Sequence, residues 1–157
     1  MQHIFSVLVE NKSGVLARVA GLFSSRGFNI DSLCVGETND PTISRMTIVV
    51  RGDDKVLEQV RKQLNKVIDV IKVQDFSDEP YIDRELVLIK VSCNARTRPE
   101  IVDIANIFRA KVVSLSAKAI TIEVTGVQSK IEAIIDMLKV YGIIELVRTG
   151  RVAISRI

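Results

Sequence analysis

The sequence predicts an α+β protein made of two consecutive domains, each with the element order βαββαβ. Three observations support this fold class. Short apolar runs of strand length alternate with segments of helical periodicity, the order of these segments occurs twice, and a charged stretch with a proline separates the two copies. A chain of 157 residues, 47% of them hydrophobic, can bury a core in each of two small domains.

The first copy is predicted from apolar periodicity and turn residues. One buried helical face is predicted from the spacing of Val15, Leu16, Val19, Ala20 and Phe23, and Gly27 follows as a residue that ends helices. The stretch 38–42 contains Asn, Asp and Pro and suits a hairpin turn. The predicted elements are a strand over 3–10, a helix over about 14–26, strands over 29–37 and 43–51, a helix capped by Gly52, Asp53 and Asp54, and a strand over 67–75.

Residues 77–84 form the boundary between the two copies, because charges and Pro80 interrupt the periodicity there. We therefore predict a first domain over 1–76, a linker over 77–84 and a second domain over 85–157. The βαββαβ order is typical of the ferredoxin-like plan, in which two helices cover one face of a four-stranded antiparallel sheet. The other face is left uncovered, and an uncovered sheet face predicts association.

The second copy follows the same order with different residues. Its first helix is predicted to begin at a capping box with an early proline, Thr-Arg-Pro-Glu at 97–100, and its second helix has an apolar face that extends from Ile131 to Leu138. Its strands are predicted over 85–93, 111–116, 120–125 and 143–148. The copies share element order but little residue identity, so we interpret them as a repeated architecture and not as a proven duplication.

Charge and composition argue against several classes of partner. The 22 basic residues are interleaved with 19 acidic ones, so no nucleic-acid footprint stands out, and aromatic residues at 4% argue against base stacking. No apolar run reaches membrane length, and a strand-like run begins at His3, which leaves no room for a targeting segment. Cys34 and Cys93 lie far apart in strand-like runs and are predicted to be reduced thiols. We expect a cytoplasmic protein without nucleic-acid or membrane partners.

The sequence shows no catalytic or metal-binding motif. His3 is the single histidine and has no partner in sequence, so we predict a structural or solvent role for it. No Cys or His pair has metal spacing, no glycine-rich run has a phosphate- or dinucleotide-binding pattern, and no Gly-x-Ser-x-Gly elbow occurs. We therefore predict a non-catalytic protein without a metal site.

The stretch 11–29 is predicted to be a ligand loop that leads into a helix. Asn11, Ser13 and Gly14 are turn and cap formers, and the backbone N–H groups at a helix start have no intrahelical partner and bind carboxylates well. Gly14 would let a ligand approach the backbone closely. An alternative is that Ser13 only caps the helix and Gly14 only relieves a turn. The second copy has no equivalent loop.

Several strings in the sequence resemble one protein family. They are Ser-Gly-Val-Leu-Ala-Arg-Val at 13–19, Leu-Phe-Ser-Ser-Arg-Gly-Phe-Asn-Ile at 22–30, Ser-Arg-Met-Thr-Ile-Val-Val at 44–50, Ile-Phe-Arg-Ala-Lys-Val-Val at 107–113 and Arg-Thr-Gly-Arg-Val-Ala at 148–153. Along its whole length the chain resembles the small, regulatory subunit of acetolactate (acetohydroxyacid) synthase. In that family the first half is an ACT domain, a ferredoxin-like module that pairs with another ACT domain and binds an amino-acid effector at the interface.

The resemblance implies an effector site made by two protomers. Its positions fall on Asn11, Gly14, Val15 and Leu16 of one protomer and on Asn29 and Ile30 of the neighbouring protomer. In this interpretation the amides at 14–16 face the effector's carboxylate, the two Asn side chains contact its charged groups, and the three apolar side chains form a small branched pocket. The loop departs from the commonest family form at Lys12 and Ser13, where many relatives carry an acidic residue, so effector affinity could differ.

The resemblance also implies a regulatory role in branched-chain amino-acid biosynthesis. The chain would form a homodimer through its ACT domains, bind the large catalytic subunit, raise its activity and confer feedback inhibition by a branched-chain amino acid, usually valine. It would carry no cofactor of its own, because thiamine diphosphate, Mg²⁺ and FAD belong to the catalytic subunit in this family.

Two other functions stay open at this point. The chain could be a free-standing ACT-type amino-acid sensor that regulates another enzyme, although the second domain argues against this. It could also be a small enzyme of the ferredoxin-like fold, since a fold alone does not fix a function. The missing acid, base, nucleophile and metal ligands argue against an enzyme.

Overall fold

A computed structural model describes residues 2–157, and the chain in it divides into two compact units. The first unit comprises the residues up to Ile82 together with 151–157, and the second unit comprises Asp83–Gly150. Within residues 2–157, no helix is long and apolar enough to cross a membrane.

The first unit contains a four-stranded antiparallel sheet. Its elements are β1 (Gln2–Glu10), α1 (Val15–Ser24), β2 (Ile30–Glu37), β3 (Ile43–Arg51), α2 (Asp54–Leu64) and β4 (Val70–Asp75). The strand order is β2-β3-β1-β4, with β1 paired to both β3 and β4, and the two crossovers that this order requires are the two helices. This is the ferredoxin-like topology that the βαββαβ order predicts.

The core of this unit lies between the helices and the sheet face that they cover. Alternate residues of β1 and β3 point into it, because successive side chains of a strand face opposite sides. The buried side chains of this core are Phe5, Val7, Val9, Val15, Val19, Phe23, Met46, Ile48, Val50, Leu57, Val60 and Leu64. Burial of each of these side chains contributes about 1.5–3 kcal/mol to the free energy of folding. Because Val15 is one of them, the start of α1 is held against the sheet.

The helix ends of the first unit agree with two of the predicted signals. Asp53 caps α2, since its carboxylate accepts a hydrogen bond from the backbone N–H of Lys55 at 2.8 Å. Gly27 follows α1 with a φ of +76°, and the N–H of Phe28 donates to the carbonyl of Phe23, which is the pattern of a Schellman end. The predicted start of the last strand at residue 67 is wrong, because residues 67–69 turn before β4 begins.

The second unit repeats the plan. Its elements are β5 (Tyr81–Ser92), α3 (Arg98–Ile107), β6 (Lys111–Leu115), β7 (Ala119–Gly126), α4 (Gln128–Leu138) and β8 (Ile143–Arg148). The strand order β6-β7-β5-β8 is equivalent to that of the first unit, and the helices cover a core of aliphatic side chains from β5 and β7. The predicted fold class, two ferredoxin-like units of the α+β type, is therefore confirmed.

The predicted capping box at the start of α3 is wrong. Thr97 occupies the cap position, but its hydroxyl accepts from the N–H of Asn94, and the Asn94 side chain accepts from the N–H groups of Arg96 and Thr97. Glu100 does not reach back to the cap, because it accepts a hydrogen bond from the Tyr141 hydroxyl at 3.0 Å. This hydrogen bond raises the pKa of Tyr141 above its usual value.

The unit boundaries differ from the predicted domains at two places. Strand β5 already begins at Tyr81, inside the predicted linker over 77–84. The last residues, expected in the second domain, belong to the first unit and form a further strand, β9 (Val152–Ser155). Arg156 donates its backbone N–H to Pro80, and Ser155 accepts from the Gln74 side chain.

Packing explains why β9 belongs to the first unit. Ala153 is 6% exposed and lies in a cluster with Ile4, Val49 and Phe76, on the sheet face that the helices leave open. The expectation of an uncovered face is therefore wrong for this part of the sheet. No element is predicted after residue 148, and the apolar run that forms β9 is short, since the strand has only four residues.

We predict that Ala153→Asp destabilises the first unit, while Ile154→Asp does not. Ala153 is buried and Ile154 is 58% exposed on the same strand, so only the first change places a carboxylate without a partner among apolar side chains. The expected loss is about 1–3 kcal/mol, limited by fraying of the terminal strand. Urea unfolding of both variants measures the difference, and equal stability of the two would contradict the described packing of β9.

Candidate functional site

The loop between β1 and α1 is fixed by hydrogen bonds to its neighbours. The N–H of Asn11 donates to Thr42 at 2.8 Å, and its side-chain NH₂ donates to the carbonyl of Pro41 at 3.0 Å and to Glu37 at 3.3 Å. These bonds tie the loop to the turn between β2 and β3. The donors of Asn11 are therefore in use, while its amide oxygen has no partner within residues 2–157 and can accept a hydrogen bond.

The start of α1 presents backbone N–H groups and no side-chain cap. Gly14 is the cap residue with a φ of +85°, and no side chain bonds the first turn. In the described part of the chain the N–H groups of Gly14, Leu16 and Ala17 have no hydrogen-bond partner. The alternative that Ser13 caps the helix is wrong, and the start of α1 is chemically suited to a carboxylate.

Of the four predicted residues of the loop and helix start, one is buried in the core and three are exposed at the surface. Val15 is 2% exposed and packs in the core, so its predicted place in a ligand pocket is wrong for the side chain. Leu16 is 45% exposed beside the unpartnered amides and can contact an apolar ligand group. Asn11 and Gly14 lie on the surface at the same place, where they can contribute a carbonyl oxygen and a backbone amide.

Asn29 and Ile30 lie at the other end of the sheet. Ile30 pairs with Val50, whereas Glu10, next to the loop, pairs with Ile43 of the same strand. These two positions of β3 are seven residue steps apart, which corresponds to about 24 Å at the usual rise of a strand. One protomer therefore does not bring the predicted residues together, and a site that contains all of them needs a second protomer.

Two ion pairs flank the start of α1. Lys12 lies 2.8 Å from Glu10, and this hydrogen-bonded contact raises the pKa of the Lys12 ammonium. Arg18 donates from Nε at 3.1 Å and from Nη2 at 2.5 Å to the carboxylate of Asp69. The sequence reasoning missed Arg18, although it lies one helical turn after Gly14 and so on the same side of the helix.

His3 has partners that its isolation in sequence did not reveal. It is 6% exposed, its Nε2 lies 2.7 Å from Asp54, and its Nδ1 lies 2.9 Å from the hydroxyl of Ser77. The Ser77 hydroxyl donates to Asp75, so its proton is not directed to the imidazole as in a serine nucleophile. The cluster connects the start of β1, the start of α2 and the turn after β4, which is a structural role.

Neither a metal-binding cluster nor a disulfide occurs within residues 2–157. Residues 2–157 contain no group of three or more His, Cys, Asp or Glu side chains that could hold a metal ion. Cys34 is half-buried on β2 and Cys93 is buried after β5, and both are free thiols.

Two family models match the chain. The model of the AHAS small subunit-like ACT domain matches residues 5–72, and the model of the small subunit of acetolactate synthase matches residues 84–157. The chain belongs to the acetolactate synthase small-subunit family. The interpretation of the first half as an ACT domain is thereby confirmed.

Members of the acetolactate synthase small-subunit family are similar over almost the whole chain. A probable acetolactate synthase small subunit from Archaeoglobus fulgidus is 58% identical over 156 residues, which are 99% of this chain and 98% of that protein. The acetolactate synthase small subunit of Mycolicibacterium smegmatis is 53% identical over 154 residues, 98% of this chain and 91% of the relative. The crystal structure of the Thermotoga maritima small subunit superposes with a TM-score of 0.91 at 43% identity, covering 100% of this chain and 98% of that one.

We predict that alanine at position 14 destabilises the protein and alanine at position 21 stabilises it. An alanine at position 14 would have to keep the φ of +85°, and its Cβ would lie 3.2 Å from Arg18 Nη1. Gly21 lies within α1, and a Cβ added there would have nothing within 4 Å. The expected changes are a loss of about 1–2 kcal/mol for Gly14→Ala and a gain of about 0.5–1 kcal/mol for Gly21→Ala.

Chemical unfolding of the two variants beside the parent protein measures both signs. A Gly14→Ala variant as stable as the parent would show that the helix start does not need the left-handed conformation.

Proposed function

We propose that this chain is the regulatory subunit of an acetolactate synthase. It binds the large catalytic subunit, raises the activity of that subunit, and makes it sensitive to inhibition by a branched-chain amino acid, with valine as the effector. The chain performs no chemistry, and thiamine diphosphate, Mg²⁺ and FAD act on the catalytic subunit. The observation that carries the proposal is the uncapped, amide-lined start of α1 in a chain that matches this family in both halves.

The effector is held between the ACT domains of two protomers. Asn11, Gly14 and Leu16 of one protomer lie at one end of the sheet, and Asn29 and Ile30 lie at the other end. A two-fold axis beside α1 and β2 brings the start of β2 from the partner against the loop, as an isologous interface requires. Edge strand β2 and the exposed side chains of Leu16 and Val35 favour this side of the unit for pairing.

Each group of valine has a matching group in such a site. The carboxylate accepts from the free N–H groups at Gly14 and Leu16, with the helix dipole contributing about 0.3–1 kcal/mol. The ammonium group donates to the amide oxygen of Asn11 and to the side chain of Asn29 from the partner. Leu16 and Ile30 form the apolar wall, and a wall of two aliphatic side chains suits a small branched group.

We predict that Gly14→Asp and Asn29→His abolish valine inhibition and preserve activation. The aspartate places a carboxylate beside the same amides, and its Cβ lies 3.2 Å from Arg18 Nη1. Histidine at position 29 removes the amide group of Asn29. Activation persists because it depends on contact with the catalytic subunit and not on the effector. The measurement is a valine titration of the reconstituted holoenzyme, in which the inhibition constant rises about tenfold or more.

Asn65 offers matched controls, because it is exposed at the end of α2. Asn65→Asp and Asn65→His introduce the same side chains away from the loop and leave inhibition unchanged. Unchanged inhibition in both Gly14→Asp and Asn29→His would place the effector site elsewhere. A chain that neither binds nor activates the catalytic subunit would instead favour a free-standing amino-acid sensor.

A further inference from the structure

Arg18 is held beside the start of α1 by one buried carboxylate. Asp69 is 8% exposed, and a single oxygen of its side chain accepts from both Nε and Nη2 of Arg18. The backbone of Asp69 is fixed in turn, because its carbonyl accepts from the N–H of Glu10 at 2.8 Å. The guanidinium therefore has a defined position at the end of β1, although its side chain is 52% exposed.

The other side of the guanidinium faces the loop. A guanidinium has five N–H donors, and Asp69 uses one from Nε and one from Nη2. Within residues 2–157, Nη1 has no hydrogen-bond partner, and it lies 3.2 Å from the position that a Cβ would occupy at Gly14. The two N–H groups of Nη1 and the second N–H of Nη2 remain for an anion at the helix start.

We propose that Arg18 binds the carboxylate of the effector and that Asp69 is its positioning residue. This inference rests on the proposed function and names the group that makes the site specific for a free carboxylate. The unpaired Nη1–Nη2 edge has the fork geometry that fits a carboxylate, and charged hydrogen bonds of this kind are stronger than those from backbone amides alone. Glycine at position 14 keeps the space between Arg18 and the helix start open.

The surrounding charges are compatible with this role. The acidic groups of this region are Asp69, which pairs with Arg18, Glu10, which pairs with Lys12 at 2.8 Å, and Glu37, which accepts a hydrogen bond from Asn11 at 3.3 Å. Asp69 and Glu10 therefore already have cationic partners when a carboxylate enters, and the unused donors of Arg18 offset the charge of Glu37. The Arg18–Asp69 pair also contributes to stability, but a structural role alone does not account for the unpartnered Nη1 that faces Gly14.

The test compares valine with valinamide, which keeps the ammonium and isopropyl groups but has no carboxylate. Calorimetric titration of the full-length protein at about pH 6.5, where the amine of both ligands is protonated, gives the affinity ratio. We expect the parent protein to prefer valine by about tenfold to a hundredfold. In Arg18→Gln the affinity for valine falls by about tenfold or more, valinamide binding is unchanged, and the preference is lost.

Two further variants separate charge from position. Asp69→Asn keeps the cation but removes its anchor, so the preference for valine falls several-fold without disappearing. Arg26→Gln changes an exposed arginine after the end of the same helix and leaves both affinities unchanged. Circular dichroism shows whether each variant is folded. If Arg18→Gln does not fold, Asp69→Asn still tests the inference.

Each other outcome has a defined meaning. Equal weakening of valine and valinamide in Arg18→Gln would show a structural role only and would overturn the inference, as would unchanged binding of both ligands. A parent protein that binds valine with no preference over valinamide would also overturn it, while the proposed function would stand. A folded parent protein that binds no branched-chain amino acid would refute the proposed function itself.

Discussion

The positive φ of Gly14 is the constraint on which the candidate site depends. Because the cap residue is a glycine in the left-handed region, α1 begins without a side-chain cap, and within the described residues the N–H groups of Gly14, Leu16 and Ala17 remain unpaired. Val15, the next residue, is buried in the core and fixes the direction of the helix start. The helix start is thus packed against the core on its inner side and open on its outer side, which is the arrangement that a ligand site needs.

A second constraint is the antiparallel sheet. It separates the loop after β1 from the start of β2 by the length of β3, so the loop, Asn29 and Ile30 cannot meet within one protomer. Effector binding would then depend on how two protomers pair, and the same pairing could transmit the signal to a catalytic subunit. The C-terminal strand β9 lies on the open sheet face of the first unit, so it leaves the α1 and β2 side free for such pairing.

The sequence was sufficient for features with a local cause. Apolar periodicity predicted both βαββαβ units, and Asp53 and Gly27 marked helix ends through their own side chain or backbone freedom. It was insufficient where a competing neighbour or a distant residue decides. The Thr97 hydroxyl accepts a hydrogen bond from the N–H of Asn94, three positions earlier, and does not cap α3. Strand β9 depends on the contact of Ala153 with Ile4, and the partners of His3 and Arg18 lie more than 50 positions away in sequence. Helical spacing placed Val15 on the buried face, which is right, but the family resemblance also placed it in the ligand pocket. Leu16, assigned to the same buried face, is instead 45% exposed.

The most direct test of the account is a crystal structure of the full chain grown with valine. The account predicts one valine per loop, between two protomers, with its carboxylate within about 3 Å of the N–H of Leu16 and of the Arg18 guanidinium, and with Asn29 supplied by the partner. Valine bound within a single protomer, or on the second unit, would contradict it.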